Sequence, residues 1–255
     1  FAYEYEDADQ MGERPAVRPV SLTYRRDSAF SYVCHGCTRC CHDKAIQVNP
    51  YEVARLARNR TLSTTEVRAS YTDASGTILK RTAEGACIFL TPQGCGVHED
   101  RPLVCRLYPL GRHVTAEGEE TFRELAPHPQ TEGEYSTTGT VQDFLSTQGA
   151  HPFIEAVDRY VELVGSMIAK FHEVAADRDH RQADPTPALD RVAPLSGESD
   201  WMDMDRAVAR YCLEQGIPIP DDVTQKMQLH VQAMGEWLGN PNHLSRRDAG
   251  GTTKQ

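Results

Sequence analysis

The sequence predicts a mainly α-helical chain with an irregular, loop-rich small α+β module towards its N-terminus and helices at its C-terminal end. Three observations predict this. Apolar residues follow the 3.6-residue period over long stretches of the second half of the chain. Seven of the eight cysteines fall between Cys34 and Cys105, among turn-forming glycines and prolines. Residues 34–112 carry 11 basic and 7 acidic side chains, whereas residues 113–255 carry 12 and 24, so a mildly basic island sits in a chain of net charge −10.

In chain order, residues 1–29 read as an extended arm, acidic and then dotted with proline. The chain begins at Phe1, which reads as a processed or trimmed N-terminus, and residues 1–14 lack a signal-peptide pattern. Leu22–Val33 mixes β-branched, aromatic and polar residues and predicts a strand leading into the cysteines. In the module over 30–135, Asn49-Pro50 starts a helix over Pro50–Asn59, with proline at its first turn. Ser63 with Glu66 forms a capping box for a second helix. Thr77–Arg81 and Cys87–Leu90 predict a short hairpin, and 91–138 reads as loop. A packed helical extension spans 136–176; its helix over Pro152–Val174 places Phe153, Val157, Tyr160, Val161, Val164, Met167, Ile168 and Phe171 on one stripe. A linker at 177–199 follows. A helical pair at 200–240 has Trp201, Met204, Val208, Tyr211 and Cys212 on one face, Gly216 as C-cap, and a last helix from Asp221 to Leu238. Residues 241–255 read as a flexible tail.

The composition excludes several classes. No apolar run approaches the ~18 residues that span a bilayer, so the chain has no transmembrane segment. The net charge of −10 argues against a general nucleic-acid partner. The dinucleotide and nucleoside-triphosphate glycine loops, the G-x-S-x-G and H-E-x-x-H motifs and the CxxxCxxC of radical enzymes are all missing.

The chemistry lies in Cys34-His-Gly-Cys37-Thr-Arg-Cys40-Cys41. Four thiols within eight residues pair poorly with one another as disulfides. A two-residue spacer lets two thiolates converge on one metal, a spacing used by zinc and iron–sulfur sites alike. Cys87, Cys95 and Cys105 follow, each beside Gly or Pro or a short apolar run. The repeated spacing at Cys34, Cys37 and Cys40 resembles that of bacterial ferredoxins, where a remote cysteine completes a cluster, and favours [4Fe-4S]; zinc is the alternative. Arg39, Arg101 and Arg106 are candidates to balance the negative charge of the centre and its cofactor. His35, His42, His98 and His113 read as loop hydrogen-bonders, with His98 the better candidate ligand among them. Cys212, on an apolar helical stripe, reads as a packing thiol. Clustered free thiols imply a reducing compartment, the cytoplasm or an organelle interior.

The order CxxCxxCC at 34–41, Pro50-Tyr-Glu-Val-Ala-Arg-Leu, Cys87-Ile-Phe-Leu, Cys95-Gly-Val-His and Arg101-Pro-x-x-Cys105-Arg-x-Tyr-Pro resembles the CxxCxxCC family of zinc- or iron-chelating, cysteine-cluster proteins. Residues 180–255 carry no such likeness. The resemblance implies a small metal-binding domain with ligands drawn from Cys34, Cys37, Cys40, Cys41, Cys87, Cys95 and Cys105. The family tends to have an eighth cysteine near a later Pro/Gly-rich turn; here that stretch holds none, and His128 is the candidate replacement. One branch, the flagellin lysine methylases, is associated with a [4Fe-4S] cluster. The expected role is an accessory, electron-transfer or structural subunit that meets a larger complex through the C-terminal helices or the acidic arm. An iron–sulfur-dependent methyl-transferring enzyme and a zinc-stapled interaction module are the alternatives.

Overall fold

A computed structural model of the protein describes residues 23–179 and 201–239. The expected arm up to residue 22, most of the linker and the tail lie outside the described residues, as does the Phe171 side chain. The first elements are β1 (Thr23–Tyr24) and β2 (Ala29–Val33), divided by a turn in which the Ser28 amide donates to the Arg25 carbonyl. After the cysteine loop come α1 (Pro50–Arg60) and α2 (Thr64–Tyr71), both opened by complete capping boxes. A two-stranded hairpin of β3 (Leu90–Thr91) and β4 (Gly94–Cys95) precedes the short α3 (Leu103–Leu107). Then come β5 (Leu110–Val114), β6 (Glu120–Glu124) and β7 (Glu134–Thr140). Four helices follow: α4 (Val141–Thr147), α5 (His151–Asp179), α6 (Met204–Gln215) and α7 (Val223–Gly239).

The architecture is mixed α+β rather than mainly α. Strands β1, β6 and β5 form an antiparallel sheet in that order, and β2 pairs antiparallel with β7. The stretch holding β6 and the start of β7 reads as loop in the sequence because strand alternation is nearly invisible there: in Glu-Thr-Phe-Arg-Glu only Phe122 is buried, and most of β7 is exposed. Short, wet strands are specified by their pairing partners more than by their own pattern. The hairpin expected at 77–90 exists as one bridge, Arg81 to Cys87, not as a ladder, while Ala86 bridges instead to His42 of the cysteine loop.

The helix predictions over 50–59, from 63, over 152–174, 200–215 and 221–238 correspond to α1, α2, α5, α6 and α7. Helix α5 runs three residues into the expected linker, and its buried stripe is rotated. Phe153, Tyr160 and Met167 are buried as expected and Ile154, Ala156 and Leu163 join them, whereas Val161 and Ile168 are exposed at 64% and 50%. Two apolar rows wind along this helix, and periodicity alone does not say which row meets its neighbours. Trp237 is buried and Trp201 is packed against the core, so both tryptophans serve packing.

Helix α1 organises the fold. Tyr51 and Ala54 belong to a main core shared with β2, α3, β5, β6 and α4–α7, while Val53, Leu56 and Ala57 belong to a second core with Val67, Phe89 and Val97. The helix packs on α2, α5, α6 and α7. Asp203, the N-cap of α6, also accepts from the hydroxyls of Thr64 and Thr65 at 2.7 and 2.5 Å, which ties α6 to the start of α2.

Glu52, in the first turn of α1, is 3% exposed. Its Oε2 accepts from the Asn49 amide at 2.9 Å, and its Oε1 accepts from the Leu103 amide at 2.7 Å. Burial pushes the Glu52 carboxyl up to about 7, against the two amides and the Arg106 charge, which favour the carboxylate.

Two predictions follow from this packing. Leu163→Ala should cost ~2–4 kcal/mol in urea denaturation, whereas Val161→Ala should change stability by less than ~0.5 kcal/mol; equal losses would refute the rotated stripe. The folded-state value for Glu52 lies above its unfolded one, so its stabilisation is fully present below pH about 4.5 and lost as the pH rises through about 7. Urea midpoints of the wild type should therefore fall relative to those of Glu52→Gln across that window.

Candidate metal centre

The seven clustered cysteines are all free; Cys34 is exposed and the other six are half-buried. They come from three stretches of chain that the backbone stitches together. The first leaves β2 at Val33 and turns through left-handed Gly36 (φ 68°) and Thr38 (φ 62°) into a 3-10 turn over Arg39–Cys41. Inside this loop the Gly36 amide donates to the Cys34 sulfur at 3.4 Å. Asp43, also left-handed at φ 52°, follows the vicinal pair. A non-glycine residue in this region costs of order 1 kcal/mol and persists only where its surroundings impose it.

The second stretch is clamped directly onto the first. The Cys87 amide donates to the Cys41 carbonyl at 2.8 Å, and the Asp43 amide donates to the Gly85 carbonyl at 3.0 Å. The Leu90 amide donates to the Cys87 carbonyl, and Leu90 then pairs with Cys95 across the β3–β4 hairpin. Left-handed Gly94 (φ 105°) makes the hairpin turn. Cys87 and Cys95 both pack against the second core. The third stretch is α3, which carries Cys105 in its middle.

Five of the thiols, Cys40, Cys41, Cys87, Cys95 and Cys105, lie within electrostatic reach of one another. The Cys41 thiol donates to the Cys40 sulfur, which holds Cys40 below the ordinary thiol range and Cys41 above it; Lys44 and Arg101 add to the lowering at Cys40. Burial, with the neighbouring Cys87, Cys95 and Cys40, raises Cys105. Cys95 and Cys105 also act on Cys41, and Cys95 acts on Cys87, which burial raises. On the other side, Cys34, Cys37 and Cys40 all act on Tyr108, whose hydroxyl burial raises and whose ring lies under the Lys44 ammonium at 4.7 Å. Cys40 belongs to both neighbourhoods. Among the described residues no three His, Cys, Asp or Glu side chains are drawn together closely enough to hold an ion. The donors are nonetheless of one kind, soft, unpaired and mutually sensed, and that donor chemistry fits a thiolate-bound metal.

The other predicted residues sort differently. Arg39 is exposed and makes no hydrogen bond among the described residues. Arg101 donates to the Gln148 side chain at 2.8 Å and to the His98 carbonyl at 2.6 Å, and its charge reaches Cys40. Arg106 is 5% exposed and donates to the backbone carbonyls of Arg101, Gln148 and Glu99, with its guanidinium 4.0 Å from the centre of the Phe153 ring. Burial and Arg101 hold it down to about 10, still charged at neutral pH. It is a clamp between α3 and the α4–α5 corner. His128 is exposed; its amide donates to the Tyr108 hydroxyl, and its Nδ1 accepts from the Gln130 amide at 3.1 Å. His98 is engaged with Arg101 and Glu99. Cys212 is buried in the main core, as its stripe predicted. Glu52 escaped the sequence reading, although Asn49-x-x-Glu52 before an apolar run is a capping-box signature.

Residues 33–128 match the CxxCxxCC family model. That model is described as "Putative zinc- or iron-chelating domain". The matched CxxCxxCC segment is less than half of the chain, contains all seven clustered cysteines and ends at His128. No curated protein and no solved structure matches the chain. Among the described residues no helix is long and apolar enough to cross a membrane.

Within the CxxCxxCC segment the two unlike arginines give a direct contrast. Arg106→Ala leaves three buried carbonyls without their charged donor and should cost at least ~3 kcal/mol in urea denaturation. Arg106→Lys should recover only part, because an ammonium lacks the planar fork. Arg39→Ala should leave the midpoint unchanged.

Proposed function

We propose that the CxxCxxCC segment is a thiolate metal centre carrying a [4Fe-4S] cluster, in a protein that serves as an accessory, electron-transfer or structural subunit. The observation that carries this reading is that seven unpaired thiols come from three stretches stitched together by backbone hydrogen bonds, with Cys40, Cys41, Cys87, Cys95 and Cys105 within electrostatic reach of one another. Cys34, Cys37 and Cys40 at two-residue spacing, completed by the remote Cys105, are the proposed ligands. Cys105 is favoured because it lies within electrostatic reach of Cys40. The Gly36 amide at the Cys34 sulfur, and Lys44 and Arg101 beside Cys40, are the donors and cations that an anionic cluster needs around it. A bound cluster supplies one-electron transfer; the chain's own residues hold, shield and charge-balance it.

Zinc is the second reading, favoured by a specific subset. Cys41, Cys87, Cys95 and Cys105 would make a four-sulfur donor set of the structural kind, and Cys95 lies within electrostatic reach of the other three.

Anaerobic purification followed by iron, zinc and acid-labile sulfide analysis decides between them. A brown protein with iron, sulfide and a visible absorbance that dithionite bleaches supports the cluster. A colourless protein with stoichiometric zinc transfers the site to the second reading, and a folded protein that takes up neither metal refutes both. Cys37→Ser should abolish the visible absorbance, whereas Cys212→Ala should retain it.

A further inference from the structure

Helix α3 is five residues long, and its N-cap, Pro102, has no side chain able to cap it. A helix this short does not hold itself together in water, yet it carries Cys105. What holds its N-terminus is the Glu52 carboxylate, whose Oε1 accepts from the Leu103 amide two residues before Cys105. The other oxygen of the same carboxylate closes the capping box of α1, the helix packed between the two cores. Glu52 is buried and makes no ion pair among the described residues, an expensive way to place a charge unless both oxygens are needed. A glutamine has one acceptor oxygen and cannot serve both amides.

We propose that Glu52 is a positioning residue of the thiol centre, setting where the Cys105 sulfur stands by capping α3 from α1. This rests on the metal-centre reading above and holds for either metal, since Cys105 belongs to both donor sets. Residues one step behind metal ligands typically change affinity by about 10–100-fold when altered.

The test uses cobalt(II) alone as an anaerobic probe on the full chain, read through affinity and the intensity of the thiolate-to-cobalt charge-transfer band. It compares wild type, Glu52→Gln, Cys105→Ser and the double variant. Hydrogen exchange of the Leu103 amide reports the cap directly, and circular dichroism shows that each variant is folded at the assay temperature. Glu52→Gln should speed exchange at Leu103, weaken cobalt binding at least about tenfold and lower the band towards that of Cys105→Ser. In the double variant the Glu52 change should add nothing to the loss caused by Cys105→Ser, because it acts through that sulfur. If Glu52→Gln is unfolded, Glu52→Asp, too short to span both amides, takes its place. Unchanged cobalt affinity despite faster Leu103 exchange overturns the proposal, and so does an additive loss in the double variant. If wild-type protein gives no thiolate band at all, the metal-centre reading itself fails.

Discussion

One buried carboxylate joins the two parts of this protein. The oxygens of Glu52 accept from an amide at the start of α1 and from an amide at the start of α3. The first helix belongs to the hydrophobic scaffold and the second to the cysteine cluster. Both amides are donors with no partner inside their own helices, and the shared acceptor satisfies them together. Burial makes the arrangement exacting: in low dielectric a hydrogen bond is strong and an unpaired amide is costly. The N-terminal end of α3 is therefore tied to the scaffold by one side chain, alongside Leu103 and Leu107, which pack in the main core.

The far end of α3 is specified by a second buried charge. Arg106 reaches three backbone carbonyls and lies against Phe153 of α5. Its bond to the Gln148 carbonyl, and that of Arg101 to the Gln148 side chain, fasten the cysteine segment to the α4–α5 corner. That corner lies outside the matched family segment. The centre thus depends on helices that the family pattern does not include, and their removal would leave the Arg106 guanidinium without the Gln148 carbonyl and the Phe153 ring. The cysteine loop has the opposite character. Its left-handed residues, exposed Cys34 and half-buried partners give it little apolar packing of its own, which is expected of a segment whose ordering energy comes from a metal.

Much of this was legible along the chain. The capping box at Ser63, the proline at the first turn of α1 and the Gly216 C-cap are local devices, complete within a few residues, and each stands where its pattern placed it. The clustered cysteines stand out for the same reason: which residue types are present, and at what spacing, is a property of the sequence. What pattern could not supply was everything set by a partner distant in the chain. The strands β6 and β7 carry too few apolar residues to announce themselves. The apolar rows of α5 are ambiguous until α7 and α1 lie against one of them. Arg106 sits in the cysteine motif and His128 at its end, but their partners, carbonyls from Glu99 to Gln148 for the first and the Gln130 amide for the second, are set by the fold.

The sequence by itself determined the chemistry on offer: seven soft donors in a mildly basic segment, an eighth thiol in a helical core, and no loop or motif for nucleotides. It also determined where most helices begin and end, since caps and period are short-range. Only the tertiary structure decided that Cys87 hangs from the Cys41 carbonyl, that Cys105 rides on a helix capped from elsewhere, and which arginine is free. Those outcomes depend on contacts between residues tens of positions apart, and a buried hydrogen bond between them is written in neither stretch of sequence alone.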